Sequence, residues 1–378
     1  MQTFLDDDDP DGPAPDTVVR SVLRLLGSLG LLAGLAAPLG AQLGPPTMVN
    51  VAYGPYTDPT TPHSDERLDL YAHSDAVGLQ PVLIEIHPGG FTSGSKSDFT
   101  SYLDDDDGID AIDKAYAAGF AVVSIDYPLA ATLFADGQPN PKFPKNKSPR
   151  AAHSVRRAIQ FVRSKAGAWK LDPDRIFLIG NSAGANLGLW VAMTKDIAKP
   201  QSSNPVAQQS SRPNGVVFLS APTFLDAAHI VMPPDKPAMM SFFGKKTQAA
   251  LEKPSAIKKS LAASPAWRAG HAKSGTKFSD AMVELNASMP LLGIYKDLDP
   301  SATSSSYTFP VDDPHSAAMG LLLREALDAY AEESQNPSAH WTDFMLLNQE
   351  PTDPEGGNVT ADAVVDWLKA HATTLRRN

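Results

Sequence analysis

One stretch constrains this chain more than any other: Ile176-Phe177-Leu178-Ile179 running into Gly180-Asn181-Ser182-Ala183-Gly184. Four apolar residues make a short buried strand, the next five match G-x-S-x-G, and a helical pattern continues through Met193. A strand that turns sharply into a helix brings two backbones close together, so the flanking positions must lack bulk. The serine then stands at the tip of a strained turn. Its hydroxyl is lifted above the sheet edge, and the backbone N–H groups after it aim at the same point. A bare G-x-S-x-G arises by chance in many chains, and a glycine-rich structural turn is the competing reading. The order strand, turn, helix favours a nucleophile at Ser182.

A second element supports that reading. Pro81-Val82-Leu83-Ile84-Glu85-Ile86 is a strand, followed directly by His87-Pro88-Gly89-Gly90-Phe91. Small residues let backbone N–H groups approach a developing oxyanion, and each such donor is worth about 3–4 kcal/mol in the transition state. With Thr92-Ser93-Gly94-Ser95-Lys96, the segment resembles the HGGG-type oxyanion loop of esterases. Pro88 departs from the pattern because it has no N–H, whereas Gly89 and Gly90 keep theirs. A plain Pro-Gly-Gly turn is the bland alternative. Ala121 to Tyr127 looks like the next strand of the same group, and Asp172-Pro173-Asp174-Arg175 like the turn into the nucleophile strand.

Together these segments resemble α/β-hydrolase esterases and lipases, the hormone-sensitive-lipase-like and feruloyl-esterase-like carboxylesterases. The likeness covers roughly residues 65–195 well. It implies a mostly parallel eight-stranded sheet with helices on both faces, a small cap insertion, and catalytic groups at the carboxyl edge. It also implies ester cleavage through an acyl-enzyme on Ser182, with the N–H groups of Gly89, Gly90 and Ala183 as the oxyanion hole.

The acid and base are harder to place. Pro290 to Tyr295 reads as the strand that delivers the acid, and the family's G-x-x-D-like turn then puts the carboxylate on Asp299, with Asp297 the near alternative. The family order is Ser, Asp, His, with the histidine after the last strand. That strand reads as Trp341 to Leu347, and the loop from Asn348 to Gly357 holds no histidine. His371 comes too late, in the final helix. His340 precedes the last strand, so a seven-residue strand at about 3.3 Å per residue would carry it to the wrong edge. His315, in Asp312-Asp313-Pro314-His315, opens the helix after the acid strand, on the correct edge. A helix N-terminus favours the neutral imidazole that a general base needs. His315 is the preferred base, His340 the alternative, and a chain with no working base the third possibility.

The remaining sequence bounds the setting. The 378 residues are 42% apolar and suit one large α/β domain. A net charge of −11 argues against nucleic acid. The chain has no cysteine, which removes disulfides, thiolate metal sites and a thiol nucleophile. No metal or organic cofactor is implied. Residues 1–19 are acidic and proline-rich, after which Arg20 and Arg24 precede an apolar run from Leu25 to Leu39 that ends in small residues. That pattern is a secretory signal peptide with cleavage near Ala41, leaving a hydrolase domain over 42–378 without a stable membrane span. The acidic leader is out of place before such a segment, and translation from near Val18 or Val19 would remove it. Leu103 to Gly108 is an acidic run, but Leu103 stands where an EF-hand loop needs its first carboxylate, so it reads as solvated loop.

Asp126 to Ser148 is proline-rich and expected to shape a cleft, and residues 223–265 suit either a cap or a helical excursion packed on the body. The helix over 149–166 should bury Val155, Ala158, Ile159 and Val162 and turn Arg156, Arg157 and Arg163 away. His153 near its start reads as structural, and His229 and His271 as surface residues. The expected function is therefore that of an exported carboxylic ester hydrolase, secreted or periplasmic, acting on small or carbohydrate-linked esters. An exported binding protein on a decayed hydrolase scaffold is the alternative. The oligomeric state is not legible.

Overall fold

The computed structural model describes residues 43–54, 66–91, 93–98, 111–129, 149–224, 289–296, 298–299, 301–308, 311, 313, 315–334, 345–348 and 360–374. The apolar runs form strands β1 (Met48–Ala52), β2 (Arg67–Tyr71), β3 (Gln80–Ile86), β4 (Ala121–Ile125), β5 (Leu171–Asn181), β6 (Gly215–Leu219), β7 (Leu291–Tyr295) and β8 (Met345–Asn348). They pair in the order β1-β2-β4-β3-β5-β6-β7-β8. The first two pairings, β1 with β2 and β2 with β4, are antiparallel. From β4 through β8 every pairing is parallel.

The strands β3 to β7 read as nearly continuous apolar runs because both faces of the sheet are covered. Helices α2 (Pro149–Trp169), α3 (Ala183–Ala192) and α5 (Ala317–Ser334) pack against one face, and α1 (Ala111–Ala117) and α6 (Ala361–Thr374) against the other. A short helix, α4 (Pro205–Gln208), lies in the connection from α3 to β6. The alternation of side chains along each strand assigns them to these two cores. Val82, Ile84 and Ile86 of β3 enter the α2–α3–α5 core, while Leu83 enters the α1–α6 core.

Helix α2 buries Val155, Ala158, Ile159 and Val162 as its pattern requires. All three arginines expected to turn away differ from that expectation, with Arg157 Nε donating to Tyr53 O at 3.1 Å. Arg156 is buried, its Nη2 donating to Lys195 O at 3.1 Å with the guanidinium over the Trp190 ring. Desolvation by burial, offset in part by Asp196, lowers it to about 10. Arg163 donates to the carbonyls of Pro173, Ser210 and Arg212, tying α2 to the β6 approach. All three side chains reach backbone carbonyls, which hydrophobic periodicity alone does not reveal. Exposed His153 meets Trp190 edge-on at 5.5 Å, and half-buried His371 has Nδ1 2.8 Å from Trp367 O.

The signal-peptide segment, the acidic run at 103–108, His229, His271, His340 and Asp297 lie outside the described residues, as do all but the first two residues of 223–265. Among the described residues no helix is long and apolar enough to cross a membrane.

Candidate active site

Ser182 stands where β5 gives way to α3, with φ 52° and ψ −115°. A residue with a Cβ rarely holds such a backbone, and it persists only where its surroundings over-determine it. Here Ser182 N–H donates to Leu219 O at 3.0 Å, and Ser182 O accepts from Asn186 N–H at 3.0 Å. The Asn186 side chain in turn donates to Pro222 O at 2.7 Å.

The two glycines of the motif serve different contacts. A Cβ on Gly180 would lie 2.5 Å from the carbonyl carbon of Gly184, so Gly180 lets strand and helix meet inside the turn. A Cβ on Gly184 would lie 1.9 Å from Ile86 O and 2.9 Å from His87 O. Gly184 therefore lets the serine turn press against the end of β3, where the His87–Lys96 loop begins. The motif and the loop are placed together by one missing side chain.

That loop is held from within. Buried His87 stacks on Tyr127 at 4.2 Å, and the Tyr127 hydroxyl donates to His87 O at 3.0 Å. Burial, followed by Glu85 and Asp126, pushes the Tyr127 phenol far above its ordinary range, which keeps it a donor. Gly89, Gly90 and Phe91 take φ values of 113°, 58° and 64° in succession. Gly89 O accepts from the Ser93 N–H and from the Ser93 hydroxyl, both at 3.0 Å. On the other side of the serine, Ala183 is the first residue of α3, and the first N–H groups of a helix have no intrahelical acceptor.

Of the histidines weighed from sequence, His315 is brought to the serine: its Nε2 lies 2.8 Å from Ser182 Oγ. It reaches there because α5 docks on β7. A Cβ on Gly320 would lie 2.5 Å from Tyr295 Cε2, so that glycine admits the Tyr295 ring. The Tyr295 hydroxyl donates to Ala221 O at 2.8 Å, and the Thr223 hydroxyl to Met319 O at 2.6 Å. These bonds fix the start of α5 beside the loop after β6, and His315 sits two residues before that start.

Asp299, the acid expected from sequence, has its Oδ1 engaged elsewhere. Asp299 Oδ1 accepts from the Ser301 N–H at 2.8 Å and the Ser301 hydroxyl at 2.7 Å. Those two bonds hold its carboxyl below the ordinary aspartate range, overcoming slight desolvation. Asp299 thus closes its own turn. Among the described residues, the carboxylate that meets the imidazole is Asp313, with His315 Nδ1 3.2 Å from Asp313 Oδ1 and the His315 N–H on the same oxygen at 2.9 Å. A signal for Asp313 existed in the sequence. An aspartate two residues before a histidine is at the spacing where a side chain accepts the backbone N–H of residue i+2.

If Ser182 donates its proton to Nε2, Nδ1 must carry the other imidazole proton and point it at Asp313. A hydroxyl on a neutral imidazole whose far nitrogen meets a carboxylate is an arrangement that can generate an oxygen nucleophile. The His315 and Asp313 side chains are 44% and 62% exposed, so this pair is open to water. Among the described residues no group of His, Asp and Glu gathers as a metal site would require.

Comparison with known proteins agrees with the fold. An acetyl ester-xyloside bifunctional hydrolase from Caldicellulosiruptor lactoaceticus is 18% identical, with a TM-score of 0.51 over 90% of this chain and 98% of that one. A truncated carbohydrate esterase from gut microbiota is 16% identical, with a TM-score of 0.54 over 89% of this chain and 99% of the other. A probable isoprenylcysteine alpha-carbonyl methylesterase of Arabidopsis thaliana is 26% identical over 215 residues, 54% of this chain. The match spans only 40% of that relative's length. The BD-FAE family matches residues 68–259, just over half of the chain, from β2 past the serine turn and β6. The chain belongs to the BD-FAE family of α/β-hydrolase esterases.

Proposed function

We propose that this carboxylic ester hydrolase works through an acyl-enzyme on Ser182, with His315 as general base and Asp313 as the carboxylate that orients it. One observation carries the reading: the 2.8 Å separation of Ser182 Oγ and His315 Nε2. Oγ attacks the ester carbonyl carbon while its proton passes to Nε2, and the carbonyl electron pair moves onto oxygen. The backbone N–H groups of Gly89, Gly90 and Ala183 receive that oxyanion. When the tetrahedral centre collapses, the C–O bond to the alcohol breaks and Nε2–H protonates the departing oxygen. Water then repeats the sequence on the acyl-enzyme, releasing the acid and restoring Ser182.

Small and carbohydrate-linked acyl esters are the substrates to offer first, with a methyl ester beside them, since the relatives' names include both kinds. Export before action fits a polymer-linked substrate, and the motive for it is the basic-apolar-small pattern ending at Ala41. N-terminal sequencing of the protein from its native host checks this, and a mature chain beginning at or near Gln42 is expected. An intact Met1 on a cytoplasmic product would sink it.

The competing reading, a binding protein lacking a competent base, is favoured by the missing histidine between Asn348 and Gly357. A fluorophosphonate probe separates the two, because only an activated serine reacts quickly. Rapid labelling that disappears in Ser182→Ala and in His315→Ala supports the esterase. A wild-type protein that resists labelling and turns over no ester supports the binder.

A further inference from the structure

The face of the sheet under α1 and α6 carries a buried polar row near the carboxyl ends of β3 and β4 and at the middle of the antiparallel β2. There the pairing register sets Asp69 of β2 beside Ser124 of β4, and Ser124 beside Glu85 of β3. The same row continues onto β5 as Ile179, so the polar stretch ends where the α6 packing begins. All three polar residues are buried, Glu85 and Ser124 fully.

Lys96 docks on this row. It is the only Lys or Arg between Pro81 and Asp98, and it is 5% exposed. Its Nζ lies 3.0 Å from Asp69 Oδ2, while Asp69 Oδ1 accepts from the Asn50 N–H at 2.6 Å. The Lys96 N–H donates to Asp126 Oδ1 at 2.7 Å, and Lys96 O lies 2.7 Å from the Ser124 hydroxyl. That hydroxyl is also 2.5 Å from Glu85 Oε2. Side chain, N–H and carbonyl of one residue are thus each spent on a different strand or strand end.

A buried ion pair is a poor way to add stability, because desolvating two charges offsets most of their attraction and a well-packed apolar pair of equal size often does as well. What an ion pair with three supporting hydrogen bonds supplies is a fixed position. The segment that needs one is the run from His87 to Lys96. Gly89, Gly90, Phe91 and Gly94 all hold positive φ, so no strand or helix ladder sets its course. Its first end is tied by Tyr127 to His87 O, and its middle by Ser93 to Gly89 O. Among the described residues, its second end is tied to the sheet through Lys96.

We propose that Lys96 is a positioning residue for ester cleavage: its buried pair with Asp69, and its backbone bonds to Asp126 and Ser124, fix the far end of the oxyanion loop so that the Gly89 and Gly90 N–H groups stay aimed at the reacting carbonyl. This rests on the reading of Ser182 as nucleophile. Lys96 touches no substrate. It acts on the transition state through the loop, so its loss lowers kcat and leaves KM nearly unchanged.

The test uses the full-length protein and a short-chain nitrophenyl ester, with Lys96→Met, Lys96→Arg and Asp69→Asn. Removing an oxyanion donor outright lowers kcat by about 10²–10³-fold. A displaced loop should therefore lower it by about 10–100-fold in Lys96→Met, with KM within about twofold, and Lys96→Arg should recover part of the loss. Affinity for a trifluoromethyl ketone, which binds as an oxyanion, should fall by the same factor as kcat/KM. Fluorophosphonate labelling counts the active serines, so kcat is taken per competent site. Should Lys96→Met not fold, Asp69→Asn removes the ionic partner while keeping an acceptor for Asn50, and the same split is expected. Variants that melt earlier but keep wild-type kcat per labelled site and wild-type ketone affinity overturn the proposal and leave the Ser182 reading intact. A wild-type protein that does not label overturns both.

Discussion

The two halves of the catalytic edge are built by different physics. On the β3–β5 side, the serine turn and the start of the His87–Lys96 loop are placed by steric contact of backbones, Gly180 on Gly184 and Gly184 on Ile86. The surrounding bonds are buried, as at His87, Tyr127 and Lys96. On the β7–α5 side, the imidazole and its carboxylate sit two residues apart in one turn and face water. The first half leaves no room for a side chain at Gly180 or Gly184. The second depends on how a helix start is docked, through Tyr295, Thr223 and Gly320. Nucleophile and oxyanion donors must be fixed to a fraction of an ångström, since small displacements of reacting groups are expensive.

The largest effect expected joins the halves. Ser182→Ala should reduce kcat on the order of 10⁴-fold or more, because members of a catalytic set act as a unit. His315→Ala should match it within about tenfold, and the double variant should lose little beyond either single one. Steady-state kinetics on a nitrophenyl ester checks this. A His315→Ala variant with activity close to wild type would detach the two halves and place the base elsewhere.

The second test breaks the rigid half alone. Gly184→Ala puts a methyl group 1.9 Å from Ile86 O, and backbone cannot swing aside as a side chain could. Overpacking of this kind destabilises by about 1–3 kcal/mol and pushes the serine turn away from the loop. Thermal unfolding should report the loss of stability, and kcat per folded molecule should fall about 10²-fold, as for an ångström-scale misplacement. Normal kcat in a protein with a lowered Tm would mean that the loop follows the turn when it moves.

Legibility from sequence follows the same division. Gly180, Ser182 and Gly184 are readable because a steric requirement leaves a local pattern of small residues, and the strands around them because double-faced burial leaves apolar runs. His315 follows from elimination and from its position after the strand β7, which topology fixes. Asp299 fits a family pattern, but its carboxylate accepts from Ser301 while Asp313 faces the imidazole. Which of several nearby carboxylates turns toward a ring depends on side-chain rotation, and spacing along the chain records little of that. Arg156, Arg163 and Lys96 were invisible for a related reason. Their partners are backbone carbonyls and acids distant in sequence, brought close only by the sheet.

A third experiment asks how much the exposed carboxylate matters. Charge interactions at exposed sites are worth about 0.2–1 kcal/mol. Asp313→Asn keeps an acceptor oxygen near Nδ1 and removes only the charge, so kcat should fall about tenfold or less. Asp299→Asn should leave kcat within about twofold, since that side chain is engaged with Ser301. The reverse order, a severe loss at Asp299 and none at Asp313, would return the acid to the family position and show that Asp313 merely caps its turn.

The smallest effect expected tests the docking of α5. Tyr295 is fully buried, burial pushes its phenol far above the ordinary range, and its hydroxyl donates to Ala221 O at 2.8 Å. Tyr295→Phe removes that one bond and leaves the ring against Gly320. Losing a buried bond of this kind while stranding a carbonyl costs about 1–3 kcal/mol of stability, so Tm should drop by a few degrees. The effect on catalysis separates two views of the softer half. If the Thr223–Met319 bond and the ring packing alone hold the start of α5, kcat stays within about threefold of wild type, and this is the outcome expected from ring packing unchanged by the substitution. A drop of tenfold or more with unchanged fluorophosphonate access would show that the Ala221 bond sets the distance between His315 and Ser182. The loop after β6 would then be the true support of the base, and the β7–α5 side would be as tightly built as the β3–β5 side.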